Sequence, residues 1–492
     1  MKYIAFMICM VACCSHTFSQ HYMDNWYFGV KASLNFSTGV PVNQPSPMSG
    51  FEACASISDS IGSLLFFSNG ISIWDRNGTK MPHGDSLEIA AQQDEPYYGS
   101  SVTQGVIILP MPGAPDKYYV FYLARAVDFY NENTLMYSVV DMSLNSGNGD
   151  VIDGMKNIPY EPSGKYLWEK MTAVKHANGK DWWLITISGK TVDDDPSYFE
   201  KFLITEAGIS DPISQPYDFW STDGYDGWMF HGQMKFSLSG SKLAVTRSSH
   251  VDIYSFNRCD GMLTNRLIID SLPLVSYGLE FSPDEKKLYV SSLGNTPLKP
   301  YLTQICLNCN VIIKTTIDMH STNHEYTQMQ IGPDGKIYLG FGEPLFLETR
   351  YISVINYPDS FGLACDFDLA SFDLGDSAHL SYGLPNFVNY DLGALTGSDS
   401  CGAIININDL NNSSQVKIFP NPADNYILIS DKNNNSIACE TVLFYNSTGV
   451  LVKKIVQPTG ALDVSNLAQG IYVVAVTLNT GESYITKLEI LK

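Results

Sequence analysis

A chain of 492 residues is too long for one ordinary hydrophobic core and long enough for a large closed domain with a small one appended. Its formal net charge of -21 excludes partners that reward lysine and arginine, so nucleic acid and anionic membrane surfaces are set aside. With 29 Tyr, 24 Phe and 38 Gly the chain suits a turn-rich all-β protein, and its acidity reads as solubility for an exported one.

The N-terminus has Lys2, an apolar run from Tyr3 to Cys14, and Thr17-Phe18-Ser19 ahead of Gln20. That is the pattern of a secretory signal over residues 1–19, cleaved between Ser19 and Gln20. The run is too short to span a bilayer, and no other apolar run reaches spanning length, so no transmembrane segment is expected. Met10-Val11-Ala12-Cys13 offers a weaker lipoprotein-box alternative. Cleavage leaves Cys54, Cys259, Cys306, Cys309, Cys365, Cys401 and Cys439, an odd number, so at least one thiol stays unpaired within the monomer. Cys306-Leu307-Asn308-Cys309 has metal-ligand spacing without a second knuckle, and reads as a structural pair or two buried thiols before zinc.

From residue 51 a hairpin recurs: an apolar strand, a Gly, Pro or Asp turn, and a strand rich in aromatic and β-branched residues. Copies lie at 51–70, 103–123, 171–190, 231–250, 277–292 and 326–341. Two further short strands usually follow, as Ile71–Trp74 before the turn Asp75–Gly78. The spacing matches four-stranded propeller blades with variable loops. A seventh copy opens at Tyr382–Val388 without a partner strand, and Asn25–Gly29 with Leu34–Phe36 can supply one. The expected fold is a seven-bladed β-propeller over 20–392, tied shut by both ends, with six or eight blades open because insertions 126–170 and 191–230 could hold a strand. Residues 393–414 read as a polar linker, and seven short strands from 415 to 492 as a small Ig-like β-sandwich.

The tail carries Phe419-Pro420-Asn421-Pro422-Ala423, Gly449-Val450, Asp463 to Leu467, Gly470-Ile471-Tyr472 and Lys487-Leu488. These positions resemble the type IX secretion (type A) sorting domain of Bacteroidetes. The resemblance implies export across the outer membrane, removal of the tail, and attachment to the surface or release. It assigns Pro420, Asn421, Pro422, Ala423, Gly449, Asp463, Leu467, Gly470, Tyr472 and Lys487 to recognition by the secretion machinery. Asn25–Gly29, Cys54–Asp59, Leu65–Gly70 and Ile73–Asp75 resemble WD40-like propellers of secreted, gliding-motility-associated proteins of that phylum, a group that implies no shared reaction.

The search for chemistry yields no catalytic, cofactor-binding or metal-ligating residue. Ser221–Trp228 resembles a sialidase Asp-box with Tyr225 where glycine belongs, and reads as a blade turn. His320 and His324 lie in a loop and not on a helix that would present both on one face. Asp193–Asp195, Asp223 and Asp226 offer oxygens for calcium without a defined loop. Trp182 and Trp183 are neighbours on a strand and so point to opposite faces, where packing between blades outweighs sugar stacking. The expected function is a surface or secreted binding module, its contact surface at the loops near 83–100, 126–165 and 191–230. The alternative is a glycan-active hydrolase or lyase, distinguished by carboxylates from different blades converging at the axis.

Overall fold

The computed structural model describes residues 21–87, 99–125, 133–160, 166–189, 196–217, 230–273, 275–292, 299–319, 325–342, 349–395, 401, 416–431, 435, 437–446, 451–479 and 483–492. Expectations on the secretory signal, the Asp-box, Asp193–Asp195, His320, His324 and Gly449 fall outside them. The protein is all-β, with helix limited to short 3-10 turns among the described residues. It divides into two units, Met1–Cys401 and Gly402–Lys492.

Each of the six hairpins appears as an antiparallel pair. The chemistry of the turn residues explains why they fold locally. In the Ser282-Pro283-Asp284 turn, Ser282 Oγ and the Lys286 amide both donate to Asp284 Oδ1, at 2.7 and 3.0 Å, and the Ser282 amide closes on the Lys287 carbonyl at 3.0 Å. Burial raises the Asp284 pKa, but these donors and Lys287 outweigh it and bring the carboxyl to about 2.

We label the first strand of each meander β1 (Asn25–Phe28), β2 (Ala55–Ser58), β3 (Val106–Pro110), β4 (Leu167–Lys175), β5 (Met234–Phe236), β6 (Ser276–Phe281) and β7 (Glu325–Ile331). β1 and β2 each open a three-stranded sheet, and β5, β6 and β7 each open a four-stranded one. β3 and β4 open the two halves of a ten-stranded sheet, joined at the single pair Leu167↔Asn133. The insertion after β3 adds strands Asn133–Asp141, Asp150–Val151 and Ile158–Pro159, and the one after β4 adds Ser197–Thr205, Gly208–Ile209 and Ile213–Tyr217.

These seven strands touch in sequence, β1 to β2, β2 to β3, and so on to β6 and β7. All but the last residue of β3 and of β4 are buried. β6 and β7 are buried along their whole length, as strands covered on both faces must be. The segment 379–388 completes the circuit. The Gln328 amide meets the Tyr382 carbonyl, the Tyr382 and Gly383 amides bond to Phe51 O, and the Asn386 amide to Cys54 O. Val30 and His379 exchange two backbone bonds of 2.8 Å, and the Trp26 and Phe387 rings lie 5.8 Å apart.

One detail departs from the sequence expectation. Tyr382–Val388 does not become a strand laddered onto Asn25–Gly29; β1 pairs instead with Ala32–Asn35, and 382–388 runs between β7 and β2 outside any ladder, with a tight turn where the Phe387 amide meets Pro385 O. Pro385 has no amide to donate, which bars it from the middle of a sheet laddered on both sides.

Amide side chains tie the strands to one another. Gln104 Nε2 donates to Met234 O while the Met234 amide donates back to Gln104 Oε1. Gln233 does the same for β6 and β7, accepting from the Leu279 and Met329 amides and donating to Met329 O. Trp182 and Trp183 point to opposite faces: the Trp182 indole donates to Pro110 O in the other half of the same ten-stranded sheet, and the Trp183 indole to Arg258 O, just past the strand His250–Phe256 of the next sheet. A Cys259–Cys401 disulfide holds the segment that leaves the circuit, and Cys306–Cys309 is a local disulfide pair; Cys54, Cys365 and Cys439 are buried thiols.

The second unit has a three-stranded sheet (Val416–Phe419, Tyr426–Asp431, Leu462–Asp463) and a four-stranded one (Cys439–Tyr445, Leu451–Val456, Gly470–Leu478, Ser483–Ile490). It has its own core, including Ile427, Val442, Phe444, Val474 and Leu488. Some of the residues expected to be read by the secretion machinery also take part in the fold of this unit. Asn421 clamps the last strand through Lys487 O and the Glu489 amide, Ala423 is buried beside it, and Asp463 caps the Ser465 amide. Leu467 and Tyr472 are buried; Pro420, Pro422 and Lys487 are exposed, and Gly470 is half-buried.

Candidate functional site at the start of the inner strands

The first residues of successive inner strands, or those just before them, meet at one end of the circuit. They are Glu52 before β2, Thr103 before β3, Glu169 in β4, His231 before β5, Tyr277 in β6, Glu325 in β7 and Tyr382 in the closing segment. Backbone bonds to neighbouring strands place two of them, the Glu169 amide meeting Phe230 O, the Gln104 amide Glu169 O, and the Gln233 amide Tyr277 O.

Glu169 accepts at Oε2 from the Thr103 amide (3.0 Å) and hydroxyl (2.9 Å), and His231 Nδ1 lies 3.1 Å from the same oxygen. Burial would raise its pKa, but His231 and the Thr103 donors more than reverse this, so Glu169 is held below the usual carboxylate range. Beside it, Lys170 is fully buried and its ammonium donates to His231 O, Gly232 O and Thr246 Oγ1. Burial lowers its pKa to about 7, against the opposing charge of Glu169.

Two tyrosines orient the other carboxylates. Tyr277 donates its hydroxyl to Glu52 Oε1 at 2.6 Å, and Tyr382 to Glu325 Oε2 at 2.8 Å. Burial raises the Glu325 carboxyl, with Tyr382 opposing. Phe51 stands 5.4 Å from the Tyr382 ring, and Tyr277 stands 6.2 Å from it. Carboxylates from three separate sheets therefore converge here, with one pushed towards ionisation and one towards the neutral acid. That asymmetry is what general acid–base work requires, and directed carboxylates and hydroxyls are equally what recognition of a polar ligand requires.

The other end of the inner strands is different. A cavity of about 40 Å3 is lined by Val174, Phe236, Ile331, Phe387 and Met23, with Lys235, Glu280 and Gln330 on its wall. Lys235 Nζ sits 3.4 Å from Glu280 Oε2 and donates to Gln330 Oε1, all three side chains being buried. Burial drives both members of the ion pair towards neutrality. Glu280 is already satisfied by the Phe281 and Ile331 amides, so this set is a buried clamp between β5, β6 and β7.

No cluster of three or more metal-ligating side chains occurs among the described residues. Sequence reasoning overlooked Glu52, Glu169, Lys170 and His231, and named Glu325 only as the residue after His324. The usable signal was their place, at the start of a hairpin copy or within two residues of it.

Residues 417–491 match the family described as the secretion system C-terminal sorting domain. The match indicates export by the type IX route to the cell surface or medium, and it implies contact with that machinery. No helix among the described residues is long and apolar enough to cross a membrane. No curated protein matches the chain. Among solved structures, the chain is similar to the periplasmic gluconolactonase of Pseudomonas aeruginosa, at 9% identity over 80% of this chain and 93% of that one, with a TM-score of 0.37. It is similar to Kuenenia stuttgartiensis hydrazine synthase, at 12% identity over 91% and 97%, TM-score 0.36. It is also similar to the β-propeller domain of Myceliophteria thermophila Cps50, at 9% identity over 68% and 82%, TM-score 0.31.

Proposed function

We propose that this chain is an exported β-propeller of seven blades, WD40-like in build, that binds its ligand at the converging starts of β2 to β7. The Ig-like tail is its address, read by the type IX machinery of a Bacteroidetes cell through Pro420, Asn421, Pro422, Ala423 and the other tail positions, and then removed. The observation that carries the binding reading is the convergence of Glu52, Glu169 and Glu325 from three sheets, each fixed by donors of the protein itself. A prearranged polar surface on a hydrogen-bonded scaffold avoids the ordering cost that weakens binding by loose side chains.

A second reading, a glycan-active hydrolase or lyase, is favoured by one specific feature. Glu169 is held ionised and Glu325 towards its acid, as a base and an acid would be. Incubation of the purified protein with a panel of glycans separates the two. Binding without cleavage, weakened by Glu169→Gln, supports the module. Cleavage abolished by Glu169→Gln or Glu325→Gln establishes the enzyme and overturns the module.

A further inference from the structure

We infer, resting on the reading of the second unit as an address, that the secretion machinery docks on the outward face of that unit's four-stranded sheet, through an apolar protein surface of its own. The strand Gly470–Leu478 is apolar on both sides. Tyr472, Val474 and Val476 enter the core, while Ile471 and Val473 stand 49% and 43% exposed on the other side with Ala475 half-buried beside them. A sheet with one face in water alternates apolar and polar residues, and a strand apolar on both sides is ordinarily covered on both.

Neighbouring strands extend the patch. Tyr445 lies opposite Val473, Leu443 opposite Ala475, and Thr441 opposite Thr477. On the edge strand Leu451–Val456, Val452 and Val456 are exposed as well. Charge keeps to the margins: Lys454 on one edge strand, Lys487 and Glu489 on the other, and Glu440 at a bulge. An apolar centre within a charged rim is the anatomy of a protein-binding surface, and a contiguous apolar patch left in water marks one.

The occupant follows from the family match and the charge of this unit. Residues 417–491 match a domain that a secretion system sorts, so the match already implies a protein partner, and that partner has to find the address uncovered. Residues 416–492 hold six lysines, six acidic residues, and neither arginine nor histidine, so they carry no net charge while the whole chain carries -21. Net charge therefore offers a partner no steering here, and contact falls to the apolar face. Lys487, one of the tail positions expected for recognition, borders that face opposite Val473, and Gly470 opens the strand that carries Ile471 and Val473. A second copy seated on the same face would hide the address. The three-stranded sheet differs, since its exposed Tyr426 pairs with Asp463.

The test is fractionation of cells producing the full chain with Ile471→Lys and Val473→Lys together, beside Tyr426→Lys on the other sheet and a chain ending at Cys401. An ammonium buried against an apolar partner is costly, so the lysine pair should lower the amount at the surface and in the medium roughly tenfold. Tyr426→Lys should leave export unchanged, and the purified lysine pair should melt with the unaltered protein. If the lysine pair does not fold, Ile471→Thr with Val473→Thr keeps β-branched residues in the strand and should still lower export. A benzophenone amino acid in place of Val473 should crosslink to a subunit of the type IX machinery, identified by mass spectrometry. Crosslinking to a second copy of this chain instead, or an equal loss with Tyr426→Lys, would overturn the inference. Normal export of the lysine pair, with the shortened chain still held back, would overturn the face and leave the address. Export of the shortened chain as well would overturn both.

Discussion

Asn386 and Gln104 stand 282 positions apart in the chain and share a buried hydrogen bond of 3.1 Å. Asn386 also donates to Val106 O at 3.2 Å and to Met171 O at 3.0 Å, so one side chain in the closing segment holds β3 and β4. Asn386→Ala strands these partners away from water, and each buried polar group left unpaired costs roughly 1–3 kcal/mol. The expected loss is about 2–4 kcal/mol in the unfolding free energy by urea titration. A loss below half of that would mean the closing segment contributes little to the circuit.

Gly383 tests the same closure through packing. A Cβ there would lie 1.9 Å from the Glu52 carbonyl oxygen, which is backbone and cannot rotate away. Gly383→Ala should therefore destabilise by more than about 2 kcal/mol, on the scale of an overpacked core. At Gly335, with φ +77°, a Cβ would meet nothing within 4 Å, so Gly335→Ala carries backbone strain alone, about 1 kcal/mol. The order of the two melting temperatures is the readout.

Much of this fold was legible because its signals are local. Turns such as Ser282-Pro283-Asp284 and Gly332-Pro333-Asp334-Gly335 carry their own hydrogen bonds, so six hairpins could be located from residue type and spacing. The closing segment was found by its Tyr-Gly-Leu likeness to β6, but its state was not, because Pro385 removes an amide that a ladder needs. The site was hardly legible at all. Glu52, Glu169 and Glu325 come from stretches far apart in sequence, and only the circuit of strands brings them to one end. Tyr277 and Tyr382 were seen as hairpin openings, and their hydroxyl partners are a property of the assembled sheets.

The two disulfides should differ in weight. Cys259–Cys401 joins residues 142 apart, whereas Cys306–Cys309 joins residues 3 apart. Cross-link stabilisation grows with the logarithm of the loop closed, so the long link is worth about 4–5 kcal/mol and the short one about 1–2 kcal/mol on the chain-entropy account. Cys259→Ser with Cys401→Ser should lower the denaturation midpoint well below that of the Cys306→Ser, Cys309→Ser pair. Equal midpoints would contradict this.

Lys170 predicts a pH dependence of stability with a definite sign. Burial puts its folded pKa at about 7, while the unfolded chain titrates it in the ordinary lysine range near 10. Between those values the unfolded state binds more protons, so stability rises with pH from about 7 towards 10. Below about 7 both states are protonated and the contribution is gone. Denaturant midpoints at pH 6.5, 8 and 9.5 should climb in the unaltered protein, and the climb should flatten in Lys170→Met.

The central claim is that the first unit is cargo and the second an address. The direct measurement is fractionation of cells producing the full chain or a chain ending at Cys401, with the first unit followed by antibody through periplasm, surface and medium. The account predicts the full chain at the surface or in the medium and the shortened chain held in the periplasm. A shortened chain that reaches the surface as readily as the full one would contradict it.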